Sequence, residues 1–348
     1  MDTDTASTPP RWGIASMVSE PEPLILAFVA HWLELGASRI TLYFDTAAPA
    51  IGRRLERIPE CEVIQCDAAF WGASPLDRPA LKVHRQADNL NRSYRESDLD
   101  WMVHVDADEF LVPDQPLAQI LAGMPDDVDV VSMPVAERMY DGAPEPDTIF
   151  GGVFRRSHRA RLAEEVARID GPVAAYLDRG LAGYPGVKSA TRVGRPLTLG
   201  IHGPDEVRAV RRVILRQAHL LHFDGLTPGH WIWKKRRFIA QRKDLSGLRP
   251  SIRTQCEAIA AAGEAEALAL HDRIKVLDAD RLRALEALGL ILRPGLDPRQ
   301  AAWDRFGRAG QDFTPKGFAY EDIAFSPFSI LHHLRSRARN LKRRLLPG

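Results

Sequence analysis

One apolar run that breaks off into clustered acids constrains this chain more than any other stretch. Trp101-Met102-Val103-His104-Val105 is followed at once by Asp106-Ala107-Asp108-Glu109-Phe110-Leu111, and Pro113 closes the segment. So short and apolar a run suits a strand buried in a parallel sheet, and such sheets hold ligands just beyond the carboxyl ends of their strands. Asp106 and Asp108 stand two apart, so in an extended backbone they point the same way while Glu109 points to the other side. Two carboxylates brought together at a crevice repel each other unless a cation lies between them. A hard, oxygen-preferring ion such as Mg2+ or Mn2+ meets that demand. The plain alternative is an acidic turn after a strand; the apolar run before the acids and the Glu-Phe-Leu after them favour the metal.

The sequence before this stretch reads as strand, helix, strand, strand, helix, strand. Residues 1–11 are polar and proline-rich and are expected to be disordered. Trp12 to Val18 reads as a strand, and Ser19-Glu20-Pro21-Glu22 has capping-box spacing ahead of a helix that ends at Gly36. Arg39 to Phe44 reads as a second strand stopping at Asp45, Cys61 to Cys66 as a third stopping at Asp67, and Pro79 to Ser97 as the crossover helix into Trp101. Such an order predicts an α/β fold, a doubly wound, mainly parallel sheet flanked by helices, over residues 12–245. After Ser251 the chain turns Ala- and Leu-rich, so residues 246–348 are expected to form a helical C-terminal extension. Its tail, residues 331–346, has six Arg or Lys and no acid, with Leu331, Leu334, Leu341 and Leu345 near one side of a helix. Peripheral contact with an anionic membrane and packing on the catalytic domain are both open readings of that tail.

Composition bears on the compartment and on the classes excluded. A net charge of +1 over 348 residues rules out a strongly basic nucleic-acid binder. Three cysteines with no C-x-x-C pair fit a reducing cytoplasm, no apolar run approaches a membrane span, and the acidic N-terminus is unlike a secretory signal. A cytoplasmic protein is expected, with peripheral placement at the inner face of the membrane the open alternative.

Trp101 to Leu111 resembles the W-x-x-x-x-D-x-D-E-F-L signature of the glycosyltransferase family 2-like group, whose members have the GT-A fold. The resemblance covers roughly residues 12–242. It implies that the D-x-D binds Mn2+ or Mg2+ on the diphosphate of a nucleotide sugar, whose sugar passes with inversion to an acceptor hydroxyl on a glycan or lipid-linked acceptor. Further motifs then receive implied roles. Glu20 falls in a K-N-E-like turn in which Val18-Ser19 replace Lys-Asn. Asp45 falls in a Y-D-N-like turn, Tyr43-Phe44-Asp45-Thr46, where the acid contacts the nucleotide base. Gly186 to Ser189 and Leu199 to Gly203 resemble the K-S … G-x-H block, which assigns Lys188 to a phosphate and His202 to the neighbourhood of the metal. Gln217 to Phe223 resembles a histidine-aromatic element, which makes His222 the third metal ligand beside Asp106 and Asp108. Lys234 and Arg236, in the basic helix that follows, would add charge at the diphosphate.

An inverting transfer needs a carboxylate to take the acceptor's proton, and Glu137 and Asp141 are candidates by position. His219, His222 and His230 could suggest zinc, but no cysteine joins them and the acids prefer a harder ion. Two rivals stay open. A metal-dependent phosphohydrolase of the D-x-D-x-[TV] type is disfavoured by the motif's place on about the fourth strand. A degenerate, non-catalytic sugar-nucleotide-binding protein is kept open by the missing Lys and Asn.

Overall fold

The computed structural model describes residues 9–47, 49–72, 78–142, 146–205, 210–242 and 244–320; the basic tail at 331–346 and residues 1–8 lie outside them. The first half runs β1 (Trp12–Val18), α1 (Glu22–Glu34), β2 (Arg39–Phe44), α2 (Pro49–Leu55), β3 (Cys61–Gln65), α3 (Ala68–Trp71), α4 (Lys82–Glu96) and β4 (Trp101–His104). Next come β5 (Glu109–Pro113), α5 (Leu117–Ala122), β6 (Val130–Met139), β7 (Val153–Arg156), α6 (Ala163–Asp170) and β8 (Val187–Arg192). Short strands follow, β9 (Leu199–Gly200), β10 (Gly203–Pro204), β11 (Arg212–Ile214) and β12 (Ala218–His222). The chain then turns mostly helical, with α7 (Pro228–Ala240), α8 (Pro250–Ala261), α9 (Glu264–Lys275), α10 (Ala279–Ala287), β13 (Ile291–Leu292) and α11 (Pro298–Phe306).

The main sheet runs β13-β7-β6-β8-β4-β1-β2-β3. Strands β3, β2, β1 and β4 are mutually parallel, and every residue of β1 is buried, as expected for a strand covered on both faces. Strand β8 enters antiparallel between β4 and β6. The α/β fold with mostly parallel central strands is therefore present, in a mixed sheet. Phe110 pins the segment after the acids: its ring packs edge-on against Phe28, His31, Phe150 and Phe223 at 5.2 to 6.4 Å.

Three local readings need correction. Strands β2 and β3 are joined by α2, where the sequence reads as strand following strand; a parallel pair needs a crossover, and Ile51 and Leu55 tuck that short helix against the core. The capping box does not form. Helix α1 starts after Pro21 without a side-chain cap, and the Ser19 backbone N–H donates to Glu20 Oε2 at 2.7 Å. The apolar run Val128 to Val135 predicts a strand ending there, but β6 runs on to Met139, so Glu137 sits within the strand rather than beyond it.

Described residues beyond 290 join the same sheet and core. Strand β13 pairs with β7, and Ala302, Phe313 and Phe318 join the core that contains β1 and α1. No helix among the described residues is long and apolar enough to cross a membrane.

Candidate active site

The chain leaves β4 in a tight turn. The Glu109 N–H donates to the Asp106 carbonyl at 3.0 Å, and the Asp106 N–H donates to Glu109 Oε2 at 2.8 Å. The extended geometry expected of the D-x-D is therefore absent, and the two aspartates have different lysine partners. Asp106 accepts from Gln86 Nε2 at 2.5 Å and from Lys188 Nζ at 2.6 Å. Asp108 accepts from Lys234 Nζ at 3.0 Å. Glu109, expected to point away, instead curls back so that its Oε2 lies 3.2 Å from Lys188 Nζ. Two lysines, one per aspartate, answer the repulsion that the sequence assigns to a single cation.

Burial opposes ionisation of both aspartates and is the largest single influence, but the surrounding positive groups, Lys188 foremost at Asp106 and Lys234 foremost at Asp108, together hold both carboxyls below the ordinary range. Glu109 goes the other way. Burial, reinforced by the charge of Asp106, pushes it from 4.5 up to about 7 against the pull of Lys188. Between those values Glu109 keeps a proton that it has released in the unfolded chain, so this group's contribution to stability falls as pH rises through the window. The slope is at most about 1.4 kcal/mol per pH unit. Glu109→Gln is expected to remove this contribution and leave the opposite slope of histidines such as His202, whose lowered pKa makes stability rise with pH. From pH 5 to pH 7 the urea midpoint should then rise more, or fall less, in the variant than in the parent, and equal changes would refute the assignment.

Lys234 is placed by a local design. Gly225 adopts φ +74° where a Cβ would strike Trp231, and the Thr227 hydroxyl accepts from the His230 N–H at 3.1 Å to cap α7, with Pro228 in its first turn. From this helix Lys234 also reaches Asp224 Oδ1 at 3.1 Å. Lys275, from α9, lies 3.6 Å from Asp224 Oδ2 and 2.6 Å from Glu137 Oε1. Glu137 further accepts the N–H groups of Ala182 at 3.0 Å and Gly183 at 2.6 Å. Alternating charges thus run Glu137, Lys275, Asp224, Lys234, Asp108. Asp224, Lys275 and Gln86 escape the sequence reading; only Asp224, two residues beyond His222, lay near a motif.

The other expected site residues divide. The His202 ring stacks on Tyr184 at 4.1 Å, and burial together with the nearby Lys188 lowers its pKa to about 4. Glu20 and Asp45 lie at the ends of β1 and β2, where Asp45 is bound by Arg85 and Arg78. Asp141 and Arg236 are not brought into the cluster: Asp141 pairs with Arg293 at 2.8 Å and Arg236 with Glu264 at 2.8 Å, both in exposed pairs. His230 is buried with its Nδ1 accepting the Leu226 N–H at 3.2 Å, which takes it out of any zinc set with His219 and His222.

Among the described residues no three His, Cys, Asp or Glu side chains converge as a ready metal cage. The fit to a divalent ion is narrower. Asp108 Oδ1 and His222 Nε2 face each other at 3.8 Å, too far for a hydrogen bond, and neither makes one among the described residues. A carboxylate oxygen and an imidazole nitrogen open side by side suit an ion such as Mn2+, with water and phosphate oxygens as further ligands. Both oxygens of Asp106, by contrast, already accept hydrogen bonds.

Neither a protein-family model nor a curated protein matches the sequence. Among solved structures the chain is similar to HddC from Yersinia pseudotuberculosis, with 8% identity and a TM-score of 0.34 over 66% of this chain and 99% of that one. It is also similar to S. aureus TarS 1–349, with 12% identity and a TM-score of 0.33 over 72% of this chain and 70% of that one.

Proposed function

We propose that the chain is a glycosyltransferase that moves a sugar from a nucleotide-diphosphate donor to an acceptor hydroxyl with inversion. The observation that carries this reading is the open pair Asp108 Oδ1 and His222 Nε2, set beside lysine-compensated acids just past β4, in the segment that resembles the D-x-D-E-F-L signature. Asp108 and His222 hold a divalent cation, Mn2+ or Mg2+, which when bound supplies positive charge to the departing diphosphate. Lys188 holds Asp106 and Glu109 in place, and Lys234, about one third exposed, adds a second positive charge on the open side of the cluster. Both oxygens of Glu137 are occupied and Asp141 sits in a surface ion pair, so neither is free to take the acceptor's proton, and Asp224 serves as the counter-charge between Lys234 and Lys275. Burial raises the pKa of Asp224, but Lys234 and Lys275 outweigh it and keep the group ionised at neutral pH.

A panel of UDP- and GDP-sugars tests the proposal directly. Release of the nucleoside diphosphate is expected with Mn2+ and not with EDTA. Failure of every donor both to release product and to raise the melting temperature would overturn it.

A further inference from the structure

The two lysines beside the acidic turn are held differently. Lys188, on β8, has 2% of its side chain exposed and lies 2.6 Å from Asp106 and 3.2 Å from Glu109. Both oxygens of its aspartate are bonded, one to this lysine and the other to Gln86. Lys234, on α7, has 31% of its side chain exposed and stands between two carboxylates, 3.0 Å from Asp108 Oδ2 and 3.1 Å from Asp224 Oδ1. Asp108 turns its other oxygen to His222 Nε2, at 3.8 Å. One lysine is enclosed; the other is shared and half open.

A divalent cation held by Asp108 and His222 shares one carboxylate with the Lys234 ammonium, and two positive charges so placed repel each other. Movement of the ammonium towards Asp224 relieves that repulsion. Asp224 is equipped to receive it. Its Oδ2 is buried and takes no hydrogen bond among the described residues, with Lys275 standing 3.6 Å away. A buried acceptor left unmet is costly, and an ammonium has three donors to divide between two carboxylate oxygens. On the far side Lys275 is fixed by Glu137 at 2.6 Å, so the carboxylate that receives Lys234 is itself anchored.

We propose that Lys234 is the resident counter-ion of Asp108 and gives way to a divalent cation, with Asp224 taking over its ammonium. Asp224 thereby sets the affinity for the cation through Lys234, without touching the cation. The inference rests on the reading that Asp108 and His222 hold a divalent ion. Lys234 and Asp224 act in it as positioning residues.

Titration of the full-length protein with Mn2+, without nucleotide and followed by the electron paramagnetic resonance signal of the free ion, tests the exchange. Lys234→Met is expected to bind Mn2+ about tenfold more tightly than the parent, and Asp224→Asn about tenfold more weakly. Added to Lys234→Met, the Asp224→Asn change should cost only about threefold, because the lysine it acts through is gone. Urea unfolding checks that each variant is folded, and Lys234→Gln takes the place of Lys234→Met should that variant not fold. A parent that binds no Mn2+ beside a Lys234→Met variant that does supports the exchange and removes the metal from the glycosyltransferase reading. Where the parent binds Mn2+, equal or weaker binding by Lys234→Met overturns the exchange and leaves that reading standing. A cost of Asp224→Asn that is the same with and without Lys234 does likewise. No binding by the parent or any variant overturns both.

Discussion

Lys275→Met is expected to cost the fold about 3–5 kcal/mol, the loss that follows when one partner of a buried ion pair is removed. Methionine keeps most of the volume and reach, so the change is chiefly one of charge. Lys275 is 1% exposed, and its Nζ lies 2.6 Å from Glu137, itself fully buried. Without it, Glu137 keeps only the Ala182 and Gly183 N–H groups, and Asp224 depends on Lys234 alone. The segment that Glu137 holds leads into β8 and Lys188, so loss of the ammonium should loosen the acidic turn as well as the core. Glu137→Gln in the same chain should restore part of the loss, because no buried charge then goes unanswered, although the amide can accept only one of the two N–H groups. Urea unfolding measures both variants. A loss under about 1 kcal/mol for Lys275→Met would mean that water reaches Glu137 and the pair is not isolated.

That lysine also marks where the sequence stops being readable. β1, β2 and β4 are legible because each is an apolar run ending at a polar residue, and α4 because it must carry the chain between parallel strands. α2 is hidden: it has seven residues, with Gly52 in the middle, and among its described residues Ile51 and Leu55 are the large apolar side chains buried to mark it. The acidic turn defeats a period-two reading, since the alternation of side chains holds only while the backbone stays extended. Lys188 was reachable through the resemblance, although the structure sets it against Asp106 and Glu109. Lys275 was not reachable at all. It ends an amphipathic helix, where a lysine ordinarily reads as solvated and as complementing the helix dipole, and only the approach of α9 to β6 makes it a buried counter-ion. Charge partners more than a hundred residues apart leave no local signal.

Asp108→Asn is expected to lower turnover by about 10²–10³-fold, the scale of losing one directed electrostatic group at a reaction centre. The amide keeps the shape of the side chain and an oxygen toward His222 but surrenders the charge that holds the cation. From the sequence alone, a lost carboxylate would relieve repulsion. With Lys188 on Asp106 and Lys234 on Asp108 there is little repulsion to relieve, and stability should stay near the parent's for a different reason: Lys234 is about one third exposed and retains Asp224 at 3.1 Å. His222→Gln should lose activity in parallel, and in both variants the Mn2+ needed for half-activation should rise. Asp141→Asn and Arg236→Gln supply the contrast. Their partners are Arg293 and Glu264 in exposed pairs, where substitutions usually act within about 0.5 kcal/mol, so both should stay within about threefold of the parent. Initial rates of nucleoside diphosphate release over a Mn2+ series separate the two groups. If Asp108→Asn ran as fast as Asp141→Asn at every Mn2+ concentration, the ion would have to be held elsewhere, and the open oxygen of Asp108 facing His222 would be no more than a gap between two side chains.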